Sequence, residues 1–314
     1  MRIILILIAT VMITACNNFN PFLEEDLLKR PKAKRCADCH KKIYDQWKDS
    51  RHFHSWNSET FKRSSQNYSK VKCLSCHAPY EIKVGEKPEL RNFHREDGIN
   101  CASCHFKDET KSMHGPYKVF SPPHPSKQDL TYTKSEICSG CHQETYKEWK
   151  KTGSENSCQS CHMPSKKDKI IQKFPFDLFH SKKDLHNHSF PVLKASEKDL
   201  EIKISKEDES TILVTITNKT VPHNLPTADQ GKPKFYVTVE FYKDDNKIDE
   251  DSQLILHKGD EAFVYQKPKT LEFTTFEEYN SISIKIERKL SWKKKRELIF
   301  FKKVRRDEIR DSGL

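Results

Sequence analysis

Residues 36–47 read CADCHKKIYDQW, and residues 138–149 read CSGCHQETYKEW. In both stretches two cysteines bracket two residues and a histidine follows directly. A tyrosine and a tryptophan then lie four and seven residues beyond that histidine. Offsets of four and seven are helical spacing, so His, Tyr and Trp share one helix face. The spacing predicts a short aromatic helix after each motif, with its rings packed on or near whatever the cysteines and histidine hold. The Cys-x-x-Cys-His unit recurs as CLSCH at 73–77, CASCH at 101–105 and CQSCH at 158–162. Ala78-Pro79 after the second motif parallels Met163-Pro164 after the fifth. Motif, aromatic helix, motif and proline turn thus form a module used twice, with CASCH between the copies.

This spacing is the attachment signature of c-type haem. Two thiols add across the vinyl groups of one haem, and the adjacent histidine reaches the iron as an axial ligand. The thioether set is Cys36, Cys39, Cys73, Cys76, Cys101, Cys104, Cys138, Cys141, Cys158 and Cys161; the proximal set is His40, His77, His105, His142 and His162. Zinc sites and a disulfide framework use cysteine pairs too, but neither needs a histidine after every pair. Five pairs is also an odd number for four-thiolate sites. The cofactor expectation is five covalent c-type haems. Consecutive first cysteines lie only 20 to 37 residues apart, too close for separate apolar cores. The porphyrins must be the core, wrapped by short helices and loops, which also explains an apolar content of only 35%.

The eleventh cysteine has a different role. Residues 1–15, MRIILILIATVMITA, carry one charge at Arg2, a short apolar run and then small residues up to Cys16. The run is too short to span a bilayer and reads as an export signal. Ile13-Thr14-Ala15-Cys16 resembles the bacterial lipobox, which implies cleavage before Cys16 and its lipidation, a membrane anchor. Asn17 and Asn18 favour the outer membrane by analogy with bacterial sorting. The expectation is an exported lipoprotein on the periplasmic side of its membrane. The formal charge of +11 falls to +10 once Arg2 is lost. Each ferric haem with ionised propionates adds about −1, bringing the oxidised protein to about +5. The basicity is therefore largely haem counter-charge, and nucleic acid is not an expected partner.

Residues 16–35 read as a polar tether, and 36–192 as the pentahaem domain. From about 195 the period changes to two: 200–204, 212–216, 235–241, 271–273 and 282–286 alternate apolar with polar residues, separated by charged turns. The fold class expected is α + β multidomain, a haem-cored, mainly α/loop cytochrome domain followed by an antiparallel, immunoglobulin-like β-sandwich over 195–302. Residues 303–314 read as a charged, frayed tail.

Residues 36–190 resemble the multihaem cytochromes c related to hydroxylamine oxidoreductase and to the tetrahaem cytochrome that accepts its electrons. The likeness is carried by CADCHKKIYDQWKDSRH, CLSCHAP, EDGINCASCH, MHGPY, ICSGCHQETYKEW, CQSCHMP and HNHSF, about half the chain. It implies distal iron ligands at His52, His94, His114, His124 and His188. Residues 221–227, VPHNLPT, resemble a Gly-His-x-x-Pro-Thr-Gly loop of related sandwich domains, although both glycines are missing. That adds His223 as a distal candidate. The second copy of the module has Thr152-Gly153-Ser154 where the first has His52, so its haem draws a ligand from elsewhere or stays open.

Two classes of function follow. Haems with two histidine ligands make an electron relay between a redox-protein or quinol-linked donor and a terminal acceptor. A haem with a vacant face makes an enzyme reducing or oxidising a small nitrogen or sulfur species such as nitrite, hydroxylamine or tetrathionate. All five motifs end in His, whereas related pentahaem nitrite reductases carry Cys-x-x-Cys-Lys at the catalytic haem, which favours the relay. A third class is a surface-displayed binding module, the sandwich docking a partner and the haems wiring it. No catalytic residue stands out in the sequence of the second half.

Overall fold

The computed structural model describes residues 23–229 and 231–311. The export signal, Cys16 and the first part of the tether lie outside the described residues. Among the described residues no helix is long and apolar enough to cross a membrane.

The motif-bearing half is built from very short pieces. Its helices are α1 (Ala33–Cys36), α2 (Lys41–Lys48), α3 (His54–Asn57), α4 (Glu59–Ser64), α5 (Val71–His77), α6 (Cys101–His105), α7 (Gln143–Lys151) and α8 (Cys158–His162). Between them lie the small strands β1 (Phe106–Lys107), β2 (Ser112–Gly115), β3 (Ser126–Gln128), β4 (Ser165–Asp168) and β5 (Lys183–His186). Helices this short are not stable by propensity and need something to pack on. The two aromatic helices are there as the repeat predicts. Tyr44 and Trp47 on α2 have ring centres 5.6 Å apart, and so do Tyr146 and Trp149 on α7. Each indole closes a nearby loop, Trp47 onto the Ile99 carbonyl and Trp149 onto that of Asn156.

With so little regular structure, many carbonyls need other donors. Two buried arginines supply them. Arg91 donates to the carbonyls of Pro79, Phe93, His94 and Gly98 and to the Ser103 hydroxyl. Arg30 donates to the carbonyls of Tyr80, Ala102 and Phe106 and pairs with Glu81. Gly98, at φ +58°, lets the segment before the third motif lie directly on residues 52–55; a Cβ there would collide with the carbonyls of His52 and Phe53.

The second half has ordinary hydrophobic architecture. Strands β6 (Leu200–Lys206), β7 (Thr211–Asn218), β8 (Lys234–Lys243), β9 (Asn246–Ile255), β10 (Pro268–Thr274), β11 (Ser281–Lys289), β12 (Glu297–Arg305) and β13 (Arg310–Asp311) form two four-stranded sheets. Their orders are β10-β7-β6-β13 and β12-β11-β8-β9. Every pair is antiparallel except β13 with β6. Ile212, Val214 and Ile216 of β7 meet Val237, Val239 and Phe241 of β8 and Ile282, Ile284 and Ile286 of β11 in one core. Helices followed by these sheets make the chain α + β.

The structure differs from the sequence reading at 303–311. These residues do not fray: they complete β12 and return as β13, because Val304 and Ile309 are buried in the core between the charged residues. Residues 312–314 lie outside the described residues.

Candidate haem sites

A histidine one residue after the second cysteine lies four residues from the first, so a single helical turn collects both thiols and the imidazole on one side. Helices α5, α6 and α8 end on the motif histidines His77, His105 and His162. Asn100 and Ser157 cap two of these turns, their side-chain oxygens accepting from the backbone N–H groups of Ser103 and Ser160. The first and fourth motifs are built the other way: Cys36 and Cys138 close a helical turn, and His40 and His142 precede α2 and α7. The sequence repeat is thus a structural repeat.

All five motif histidines place Nδ1 against an oxygen. His40 meets the Ile170 carbonyl at 3.0 Å, His77 that of Ser55 at 2.7 Å, His105 that of His114 at 2.7 Å and His162 that of Pro191 at 3.1 Å. His142 instead meets a carboxylate, Asp229 Oδ2, at 3.3 Å. A carbonyl can only accept, so the proton sits on Nδ1 and Nε2 keeps its lone pair for a metal. Oxygen acceptors behind the ring are the usual way of orienting an imidazole ligand.

Four motif histidines each face a histidine from elsewhere in the chain. Ring centres are 6.5 Å apart for His40 and His124, 6.4 Å for His142 and His52, 6.2 Å for His105 and His188, and 6.5 Å for His162 and His223. Two metal–imidazole bonds of about 2 Å, plus about 1.2 Å from each nitrogen to its ring centre, span roughly 6.4 Å. The residues therefore fit an iron held between each pair. When bound, haem iron supplies a one-electron couple there. A cavity of about 260 Å³, lined by both thiols and the histidine of the first motif, Cys101 and His105 of the third, and His124 and His188, joins two of these sites.

Residues 35–106 match the family model of cytochrome c554 and c-prime. The match supports a c-type cytochrome, with covalently bound haem and a role in electron transport. No curated protein and no solved structure matches the chain.

In this c-type cytochrome two of the partner histidines are oriented in the same way, donating from Nδ1 and leaving Nε2 with its lone pair. His188 Nδ1 meets the His186 carbonyl at 2.8 Å, and His223 Nδ1 meets the Thr227 hydroxyl at 2.7 Å. Burial drives the imidazoles toward the neutral form that ligates: His52 falls to about 3 and His188 to about 4, each also lowered by neighbouring histidines. Burial lowers His40, His105 and His223 in the same way. His142 is the exception. Burial pulls it down, but the hydrogen bond and charge of Asp229 outweigh that and raise it.

The other two candidates stand elsewhere. His114 has both ring nitrogens engaged, Nδ1 with Asp129 at 3.1 Å and Nε2 with Thr110 at 2.8 Å. His94 is partly exposed, its Nδ1 3.9 Å from Glu96. Among the described residues no second histidine ring is brought against His77. Phe61 stacks on it at 3.6 Å, beside Trp56 and Tyr68. The sequence reading missed Phe61, Asp229 and Phe190, whose ring lies 4.1 Å from His52. None of these carries a local signal.

Proximity between the sulfurs of different motifs orders the sites. Cys36 lies near Cys101, Cys76 near Cys141, and Cys138 near Cys158, close enough for each to perturb the other's ionisation. Cys104 lies within electrostatic range of Cys138 and Cys141. The first motif thus adjoins the third, and the fourth adjoins the second, third and fifth.

Proposed function

We propose that this c-type cytochrome carries electrons through five covalently bound haems, between a redox-protein or quinol-linked donor and a terminal acceptor. The observation that carries the reading is the set of four histidine pairs spaced 6.2 to 6.5 Å apart. Iron closed on both faces by imidazole exchanges electrons without taking a substrate. The proximity of the motif sulfurs supports a path from the first haem through the third to the fourth, with the second and fifth branching from the fourth. In this reading a lipid on Cys16 anchors the protein on the periplasmic face of a membrane, with the outer membrane as the expected site. The two-sheet domain, read as an immunoglobulin-like sandwich, closes the fifth haem with His223.

A second reading rests on His77, which has Phe61 rather than a histidine as its ring neighbour. If the second haem is open, reduction or oxidation of a small nitrogen or sulfur species would occur there. Electron paramagnetic resonance of the ferric holoprotein, with and without nitrite or hydroxylamine, tests both. Low-spin signals from four or five haems, all indifferent to the additions, support the relay. A high-spin signal that converts on addition would move the conclusion to the enzyme. Fewer than four low-spin haems would sink the pairing itself.

A further inference from the structure

Four of the five motif histidines rest on backbone carbonyls; His142 alone rests on a carboxylate, and that carboxylate comes from the other domain. Asp229 follows the loop that carries His223. It is largely buried, with 11% of its side chain exposed. Besides His142 it accepts from the backbone N–H groups of Glu144 and Thr145, at 2.6 and 3.2 Å, and from the Thr145 hydroxyl at 2.7 Å. It therefore sits at the amino end of α7, where the helix dipole and these donors hold it as an anion. A few residues before it, Asn224 docks on the same helix through Glu148, at 2.9 and 3.2 Å.

We infer that Asp229 is a positioning residue through which the β domain sets the reduction potential of the fourth haem, holding it below that of an otherwise equivalent carbonyl-supported site. The inference rests on the reading that His142 ligates iron opposite His52. A carboxylate behind an imidazole raises the basicity of its other nitrogen, and a stronger donor with negative charge behind it favours ferric over ferrous iron. A charge-assisted hydrogen bond is roughly twice as strong as a neutral one. The fourth motif adjoins the second, third and fifth, so the potential set there controls how electrons divide at the branch. By this contact and by His223, one loop of the β domain governs two neighbouring irons.

Asp229→Asn is the discriminating variant. Asparagine keeps the side-chain oxygen that caps α7 and removes the charge. Potentiometric titration of the holoprotein, followed by optical and paramagnetic resonance spectra, should show one haem shifted to higher potential. The expected size is about tenfold in its reduction equilibrium, which for a one-electron couple is about 59 mV. The other four should stay in place, and Asp229→Glu should recover at least part of the shift. The haem that moves should be the one whose low-spin signal is lost in His52→Ala. If Asp229→Asn leaves all five potentials unchanged, or moves several together, Asp229 only docks the domains and the inference is wrong. If His52→Ala leaves every low-spin signal intact, the pairing of His52 with His142 has failed instead, and the inference falls with it.

Discussion

The two halves of this molecule solve the same problem by different means. Beyond residue 199 the chain buries alternating aliphatic and aromatic side chains between two sheets, and Val214, Phe241, Phe273 and Ile284 are wholly inaccessible. Before residue 193 the largest fully buried side chain is an arginine, Arg91, and several serines, Asn100 and Gln159 are buried in the same half. A chain with its own apolar core can leave its polar groups outside. A chain whose core is contributed by prosthetic groups has to satisfy its inner carbonyls with side chains instead. The contrast shows that composition belongs to domains: a modest apolar fraction overall conceals one conventional half and one with, among the described residues, only a small apolar cluster of its own.

The largest test of that contrast is to withhold haem attachment. Without it residues 23–192 should lose their helices, while the β domain keeps a cooperative transition and survives limited proteolysis as a fragment beginning near residue 195. Persistence of helical circular dichroism would overturn the contrast. Next in size, Phe241→Ala should cost the β domain about 3–5 kcal/mol by opening a cavity. Calorimetry should resolve this as a lower first transition, and the low-spin signal of the fifth haem should weaken as His223 is lost with it. An unchanged signal at a temperature where the domain is unfolded would refute that coupling.

A smaller effect concerns Glu240, buried on β8 and bonded to Ser283, Tyr242 and Lys285 at 2.8, 2.7 and 2.6 Å. Burial pushes its carboxyl up, but these three partners win and hold it at about 2. A depressed carboxylate contributes stability that is present above its unfolded value, about 4.3, and is lost as pH falls toward about 2. The contribution at neutral pH is at most about 3 kcal/mol. Unfolding temperatures taken between pH 6 and 3 should therefore decline less in Glu240→Gln than in the parent; parallel curves would assign no such role. The smallest effect belongs to the cofactor half. Ser58 caps α4 by accepting from the Phe61 N–H, and Ser58→Ala should cost about 1 kcal/mol. Because Phe61 stacks on His77, the spectrum of the second haem should broaden, whereas the first transition in calorimetry should not move.

Much of this was legible locally. Cysteine and histidine spacing marks each attachment turn because all three groups of a motif lie within one helical turn. Tyr44, Trp47, Tyr146 and Trp149 were readable for the same reason. Period-two alternation found β6, β7, β8, β10 and β11. It passed over β9, NKIDEDSQLI, because an edge strand facing solvent on most positions shows no apolar face. Strand β12 carries the unbroken apolar run Leu298-Ile299-Phe300-Phe301 followed by lysines, so it too shows no alternation.

By itself the sequence determined the attachment chemistry, the twofold module and the change from helical to alternating period near residue 195, all encoded within a few residues of one another. Only the tertiary structure decided which histidine faces which. His52 lies in the first copy of the module yet stands opposite His142 in the second. His124 crosses to His40, and His114 turns away to Asp129 and Thr110. Asp229 likewise acquired its place behind His142 only when the second domain docked on α7. A ligand pair or a hydrogen bond across 85 residues is set by where the backbone returns, and that is settled by packing of the whole chain rather than by any local pattern.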